Sequence, residues 1–231
     1  SAKPKSPTRL TTNALIAAAL ADGPLSVRLL GRDGELQPSC RYFPTPLNLF
    51  VVRCGLQRFF PALQAVDDMS WPHDAPRACD WVPGCYYLVR KTVVDQIGLL
   101  DPRYFLYYEE VDHCFAAQQH GWKVVCLPST TVVHIGGESA KSEGAITKSG
   151  RQLEALQIES ELLFYRKNHG VFVLAINVLL HSTADLIQTL KRIVKPRGWG
   201  NARSDQPIHT VFSARYLWSA DLGRDCAQGR A

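Results

Sequence analysis

From Arg151 to Val194 the chain reads as two long helices in succession, and no other stretch constrains the fold as much. Arg151–His169 closes at Gly170, and the very apolar Val171–Val194 is stopped by Pro196. A proline ends a helix because it lacks the N–H and its ring clashes with the preceding turn, while a glycine takes the left-handed closing position. The longest apolar run, Val171–Leu180 with Asn177 inside it, falls short of the roughly 20 residues a membrane span needs. A buried or interfacial helix is therefore expected here.

The residues before Arg151 behave differently. They run in short apolar segments cut by glycine and proline, which read as a mixture of short strands and helices. Thr12 or Asn13 is placed to cap a helix through Leu20 that ends at Gly23. Val27–Leu30 reads as a strand, followed by a turn at Arg32-Asp33-Gly34. Arg41–Pro46 reads as extended and proline-broken, and Asp67–Cys79 as a surface loop. Tyr86–Arg90 reads as a strand, Lys91–Ile97 as a short helix ended by Gly98. A further helix begins near Val111 and stops before Gly121; two short strands, Lys123–Leu127 and Thr131–His134, follow on either side of Pro128. Residues 136–150 read as a mobile loop.

Net charge is +5, with basic residues gathered at the two ends: Lys3, Lys5 and Arg9, then Lys191, Arg192, Lys195 and Arg197. No recognised nucleic-acid motif accompanies this charge, so anionic lipid or diphosphate is the expected contact rather than DNA or RNA. The seven cysteines are odd in number and form no C-x-x-C pair. That argues against a disulfide framework or structural zinc and for reduced thiols.

The chemistry concentrates in Phe105-Leu106-Tyr107-Tyr108-Glu109-Glu110-Val111-Asp112-His113-Cys114. Three carboxylates follow bulky side chains at the start of a helix. Acids there are stabilised by the helix dipole whatever their role. Burial and mutual repulsion would also raise one of their pKa values, which suits a carboxylate to take a proton from a hydroxyl.

This block resembles the F-[LM]-Y-x-E-D-x-D-x-C block of bacterial rhamnosyltransferase-like members of glycosyltransferase family 2. The resemblance continues in order. It includes Asp33-Gly34 through Thr45, Trp81-Val82-Pro83-Gly84, Gly98-Leu99-Leu100-Asp101, Gly121-Trp122-Lys123-Val124 with Pro128, and Val132-Val133-His134 with Gly136-Gly137-Glu138-Ser139. It covers roughly residues 6–170 and implies a partial GT-A, Rossmann-like α/β core with C-terminal helices: a truncated catalytic domain over 1–170, then an apolar helix and basic tail over 171–231. It implies inverting transfer from a nucleoside-diphosphate sugar, with rhamnose as one candidate, to a cell-surface glycan or lipid-linked acceptor. Glu110 would be the catalytic base, with Glu109 and Asp112 flanking it. Trp81, Gly84 and Arg41 would shape the acceptor pocket, and His134 would help bind a divalent metal, Mg or Mn, or the donor diphosphate. The expected location is cytoplasmic, peripheral at the inner face of the membrane.

The same family carries a nucleotide-binding half that ends in Asn-Pro-Asp. Ser6-Pro7-Thr8-Arg9-Leu10-Thr11 resembles the stretch around it without the acid, and the first acidic residue is Asp22. The expectation is an acceptor-side portion. The alternative is a catalytically incomplete remnant or split-enzyme piece that binds glycan, membrane or a partner.

Overall fold

The computed structural model describes residues 22–135, 151–194, 209–211 and 213–214. The expected helix at Thr12–Leu20, the 136–150 loop and most of the basic tail lie outside them. The chain divides into two interleaved compact units: residues 1–43, 66–100 and 110–136 form one, and 44–65, 101–109 and 137–231 the other.

The first unit is a mixed α/β body. Its sheet has four strands, β1 (Leu25–Leu30), β2 (Leu36–Gln37), β3 (Arg77–Cys79) and β4 (Val124–Val133), in the order β2-β1-β4-β3. β1 and β4 run parallel; β2 on β1 and β3 on β4 run antiparallel. Leu25, Val27 and Leu29 of β1 are fully buried, as are Val124 and Cys126 of β4. Each such aliphatic side chain removed from water contributes about 1.5–3 kcal/mol before conformational entropy is set against it. The β1–β2 turn uses Gly34 at φ 81, in the left-handed region that an L side chain avoids.

Three sequence expectations change here. The two strands drawn around Pro128 are one. Between the pairs Ser26↔Cys126 and Arg28↔Thr131 the register shifts, so β4 carries extra residues that absorb the proline without breaking the ladder. Tyr86–Arg90 is not a strand: Gly84–Tyr86 is a single 3-10 turn, and only Leu88 pairs, in an isolated bridge to Leu25. Arg77–Cys79, read as the end of a loop, is β3.

Two helices complete this unit. Helix α2 (Lys91–Ile97) ends at Gly98 as expected, and α3 (Glu109–Gln119) runs toward Gly121. α3 buries Val111, Cys114 and Ala117 along one face.

The second unit is helical. α1 (Pro46–Cys54) begins where the extended, proline-broken reading of Arg41–Pro46 ends, in a stretch for which the sequence suggested no element. Thr45 caps it, Asn48 reciprocates through its side chain, and Pro46 occupies the first turn, where its missing N–H costs nothing. α4 (Arg151–Asn168) and α5 (Gly170–Val194) form the expected pair, and α5 packs on both α4 and α1. Gln188 Nε2 and Lys191 Nζ of α5 donate to the Arg53 and Cys54 carbonyls, two of the acceptors that the end of α1 leaves open. By length and composition Gly170–Lys191, with mean hydropathy 1.7, could cross a membrane. The run to Leu180 is only part of this helix; His181 ends that run without making the helix polar on average.

Candidate active site

The acidic block is delivered by a loop held at several points. Within the second unit, Ser160 Oγ donates to the Leu106 carbonyl at 2.9 Å, and Asp101 is paired with Arg103 (2.6 Å) and Lys167 (2.8 Å). Hydrogen bonds from Arg103, then Lys167, outweigh desolvation and hold the Asp101 carboxyl well below the usual carboxylate range. Tyr107 and Tyr108 both take left-handed φ values, 67 and 68, immediately before the acidic pair. Such residues cost of order 1–3 kcal/mol each and concentrate at functional sites.

Glu109 Oε2 is buried without a hydrogen-bond partner among the described residues. Burial raises the Glu109 carboxyl above the ordinary glutamate range, offset in part by its own backbone N–H. A raised, desolvated carboxylate is therefore present in this block.

In the first unit, α3 is fixed through His113. Its Nε2 donates to the Gly98 carbonyl at 3.0 Å, so Nδ1 accepts from the Tyr87 hydroxyl at 2.6 Å. Three segments of the family resemblance thus meet at one imidazole: the residues after Trp81–Gly84, the start of Gly98–Asp101, and the acidic block. At the head of the same helix, Glu110 Oε1 accepts from the Gly84 N–H at 3.4 Å. A Cβ on Gly84 would stand 3.8 Å from that oxygen, in ordinary contact, so space alone does not require glycine here. Asp112 is buried in α3.

Arg41 and Trp81 form a second group. Their backbones bridge, the guanidinium lies 4.5 Å from the indole centroid, and Trp81 Nε1 donates to the Tyr42 carbonyl. Trp81 is buried, so one face of the ring lies under Arg41. A cavity of about 340 Å³ in this unit is lined by Tyr42, Asp80, Gln118, Trp122 and Lys123 among others, and by neither Glu110 nor Trp81.

His134 stands elsewhere, where β1 and β4 reach their carboxyl ends; its N–H donates to the Leu30 carbonyl at 2.8 Å. In α/β sheets ligands bind at the carboxyl ends of parallel strands. Gln37 meets His134 twice, through Nε2 to the His134 carbonyl (3.2 Å) and Oε1 to Nδ1 (2.9 Å). Asp33 lies at the same turn, its Oδ1 accepting from the Glu35 N–H. One imidazole and one nearby carboxylate fit part of the shell of a hard cation, which prefers oxygen ligands and takes about six. Diphosphate oxygens and further protein ligands would have to complete it.

No local sequence pattern signals the buried cluster in the second unit. Glu161 Oε1 lies 3.3 Å from His181 Nε2 and 3.4 Å from His209 Nε2, with the two rings stacked. Asn177 Nδ2 and Tyr108 Oη also donate to this carboxylate. The three residues have metal-like separations. Arg53 Nη1, however, donates to His181 Nδ1 at 2.8 Å, which puts the ring proton on Nε2, facing Glu161. A cation would have to displace that proton next to a guanidinium. The donors fit a hydrogen-bonded ionic core better than a metal centre.

Comparison with known proteins points to one class, the glycosyltransferases. No protein-family model matches the chain. The chain is similar to N-acetylglucosaminyl-diphospho-decaprenol L-rhamnosyltransferase of Mycobacterium tuberculosis, 30% identical over 125 residues, 48% of this chain and 37% of the relative. It is also similar to a low-salt glycan biosynthesis hexosyltransferase of Haloferax volcanii, 23% identical over 175 residues, 76% of this chain and 48% of the relative. The chain therefore spans less than half the length of these curated relatives. The likeness supports a glycosyltransferase affiliation.

Proposed function

We propose that this chain is the acceptor-side portion of an inverting, family 2 GT-A glycosyltransferase, with Glu110 as the base that deprotonates the acceptor hydroxyl. The observation that carries this is the contact between the Glu110 carboxylate and the Trp81–Gly84 turn, 26 residues apart in sequence. Two segments of the rhamnosyltransferase-like pattern share one hydrogen bond. The deprotonated hydroxyl attacks the anomeric carbon of a nucleoside-diphosphate sugar, and the diphosphate leaves. A divalent cation, when bound, would neutralise charge on the leaving diphosphate; His134 is the described residue best suited to contact it.

The relatives' names support a substrate class: a sugar nucleotide, with a rhamnosyl donor as first candidate, and a glycan or polyprenyl-diphosphate-linked acceptor. The raised carboxyl at Glu109 favours a second assignment within the same reaction, in which Glu109 rather than Glu110 holds the proton. Glu110→Gln and Glu109→Gln separate the two, since only loss of the base abolishes acceptor-dependent release of nucleoside diphosphate.

A lipid-linked acceptor calls for a membrane-facing surface, and α5 has the polarity for one. Asn177, His181 and Asp185 are buried, whereas Phe172, Leu179, Leu186 and Leu190 are 78%, 66%, 58% and 51% exposed. A helix with polar groups inside and an apolar stripe outside is suited to lie in the interface. The basic run Lys191, Arg192, Lys195 and Arg197 would meet anionic headgroups. On this reading the chain sits peripherally, at the inner face of the membrane.

A further inference from the structure

We propose that Gln37 is a positioning residue that locks His134 in the Nδ1–H tautomer, so that Nε2 presents a lone pair suited to a cation and not to a bare diphosphate oxygen. The argument rests on the direction of two hydrogen bonds. The His134 carbonyl can only accept, so the Gln37 atom 3.2 Å from it is the amide nitrogen. The remaining amide atom, Oε1, can only accept, and it lies 2.9 Å from His134 Nδ1. Nδ1 is therefore the donor. In the neutral ring Nε2 is then the acceptor, the reverse of the tautomer that free histidine favours. One side chain thus clamps both the backbone and the ring of a residue 97 positions away.

The surroundings keep that clamp in place. The His134 N–H is tied to the Leu30 carbonyl, which anchors the residue on β1. Gly31, at the end of β1, has no Cβ; one there would stand 3.3 Å from Gln37 Nε2 and 2.6 Å from Asp33 Oδ1. The glycine leaves room for the Gln37 side chain to cross from β2 toward β4.

The consequence for binding is a choice of sign. A neutral imidazole with an Nε2 lone pair accepts a cation or a hydroxyl proton and repels the acceptor oxygens of a diphosphate. Metal-bound histidines are commonly oriented in this way by a hydrogen-bond acceptor on the other nitrogen. The use of this tautomer in the reaction rests on the glycosyl transfer proposed above; the tautomer itself does not.

Long-range ¹H–¹⁵N correlation spectra at alkaline pH, where imidazoles are neutral, read the tautomer directly. Wild type is expected to show His134 as Nδ1–H. Gln37→Leu should invert the majority tautomer to Nε2–H, and Gln37→Glu, which still accepts from Nδ1, should retain the wild-type pattern. Gly31→Ala, which crowds the amide but keeps it, should shift the population part of the way. An Nε2–H ring in wild type, or an unchanged ring in a folded Gln37→Leu chain, would overturn the proposal. Mn²⁺ added with a nucleoside diphosphate should broaden the His134 resonances in wild type and far less in Gln37→Leu. The expected tautomer without broadening would leave the clamp standing and sink the reading of His134 as a cation contact.

Discussion

At the scale of single residues, the account turns on which carboxylate carries the proton. Glu110→Gln keeps an acceptor for the Gly84 N–H through its amide oxygen but cannot take a proton. Its expected effect is a loss of about 10²–10⁴ in turnover with the fold retained, the usual range for removing a general base. Thermal melts alongside the rate measurement separate the two effects. Arg41→Ala removes the guanidinium from the Trp81 face and from the partly exposed Asp67. The expected cost is about 1 kcal/mol, read as a lower denaturant midpoint, because both contacts are partly solvated. The acidic block was legible in the sequence, since three acids following four bulky residues stand out by composition. The Gln37–His134 clamp was not. Both residues were visible within the resembling segments, but their meeting depends on the β2-β1-β4 order, which no local pattern encodes.

At the scale of elements, the buried cluster between α4, α5 and residues 209–213 gives a sign for pH dependence. Burial alone would raise the Glu161 carboxyl, but hydrogen bonds from His181 and His209 more than reverse this and hold it well below the usual range. Its contribution to stability is present above the unfolded glutamate pKa, about 4.3, and is lost as pH falls below that value. Burial lowers the His209 pKa against the opposing pull of Glu161. The unfolded chain therefore takes up that proton first, and stability begins to fall as pH drops through about 6.5. Denaturant unfolding from pH 8 to about pH 2 should show the midpoint falling in both windows. Glu161→Ala should cost about 3–5 kcal/mol at neutral pH, the effect of leaving buried partners without their counter-charge, and should remove the lower window.

Helices α2 through α5 could be read from periodicity and their glycine or proline stops, because each ends at a residue whose backbone forbids continuation. α1 is hard to read because Pro46 looks like a breaker, although Thr45 and Asn48 form a cap around it. β4 escaped because a bulge can absorb Pro128, a tertiary accommodation invisible in the strand itself. The Glu161 cluster had no local signal: its members come from three separate segments and share no spacing.

At the scale of the whole molecule, the proposed function joins the inside-out polarity of α5 and the carboxylates of α3 in transfer to an acceptor carried in lipid. Leu179→Glu with Leu186→Glu places two charges on the exposed stripe without touching the buried Asn177, His181 and Asp185. Sedimentation with anionic vesicles should fall at least tenfold relative to wild type, and wild-type binding should weaken as salt rises. Equal sedimentation of both proteins would remove the membrane from the account. The central claim is tested most directly by acceptor-dependent release of nucleoside diphosphate, with Mg²⁺ or Mn²⁺, a panel of sugar nucleotides and a polyprenyl-diphosphate-linked N-acetylglucosamine acceptor. The account predicts release by wild type with at least one donor, and a fall of at least 100-fold in Glu110→Gln with sugar-nucleotide binding unchanged. No release with any donor, or equal release by the two proteins, would contradict it.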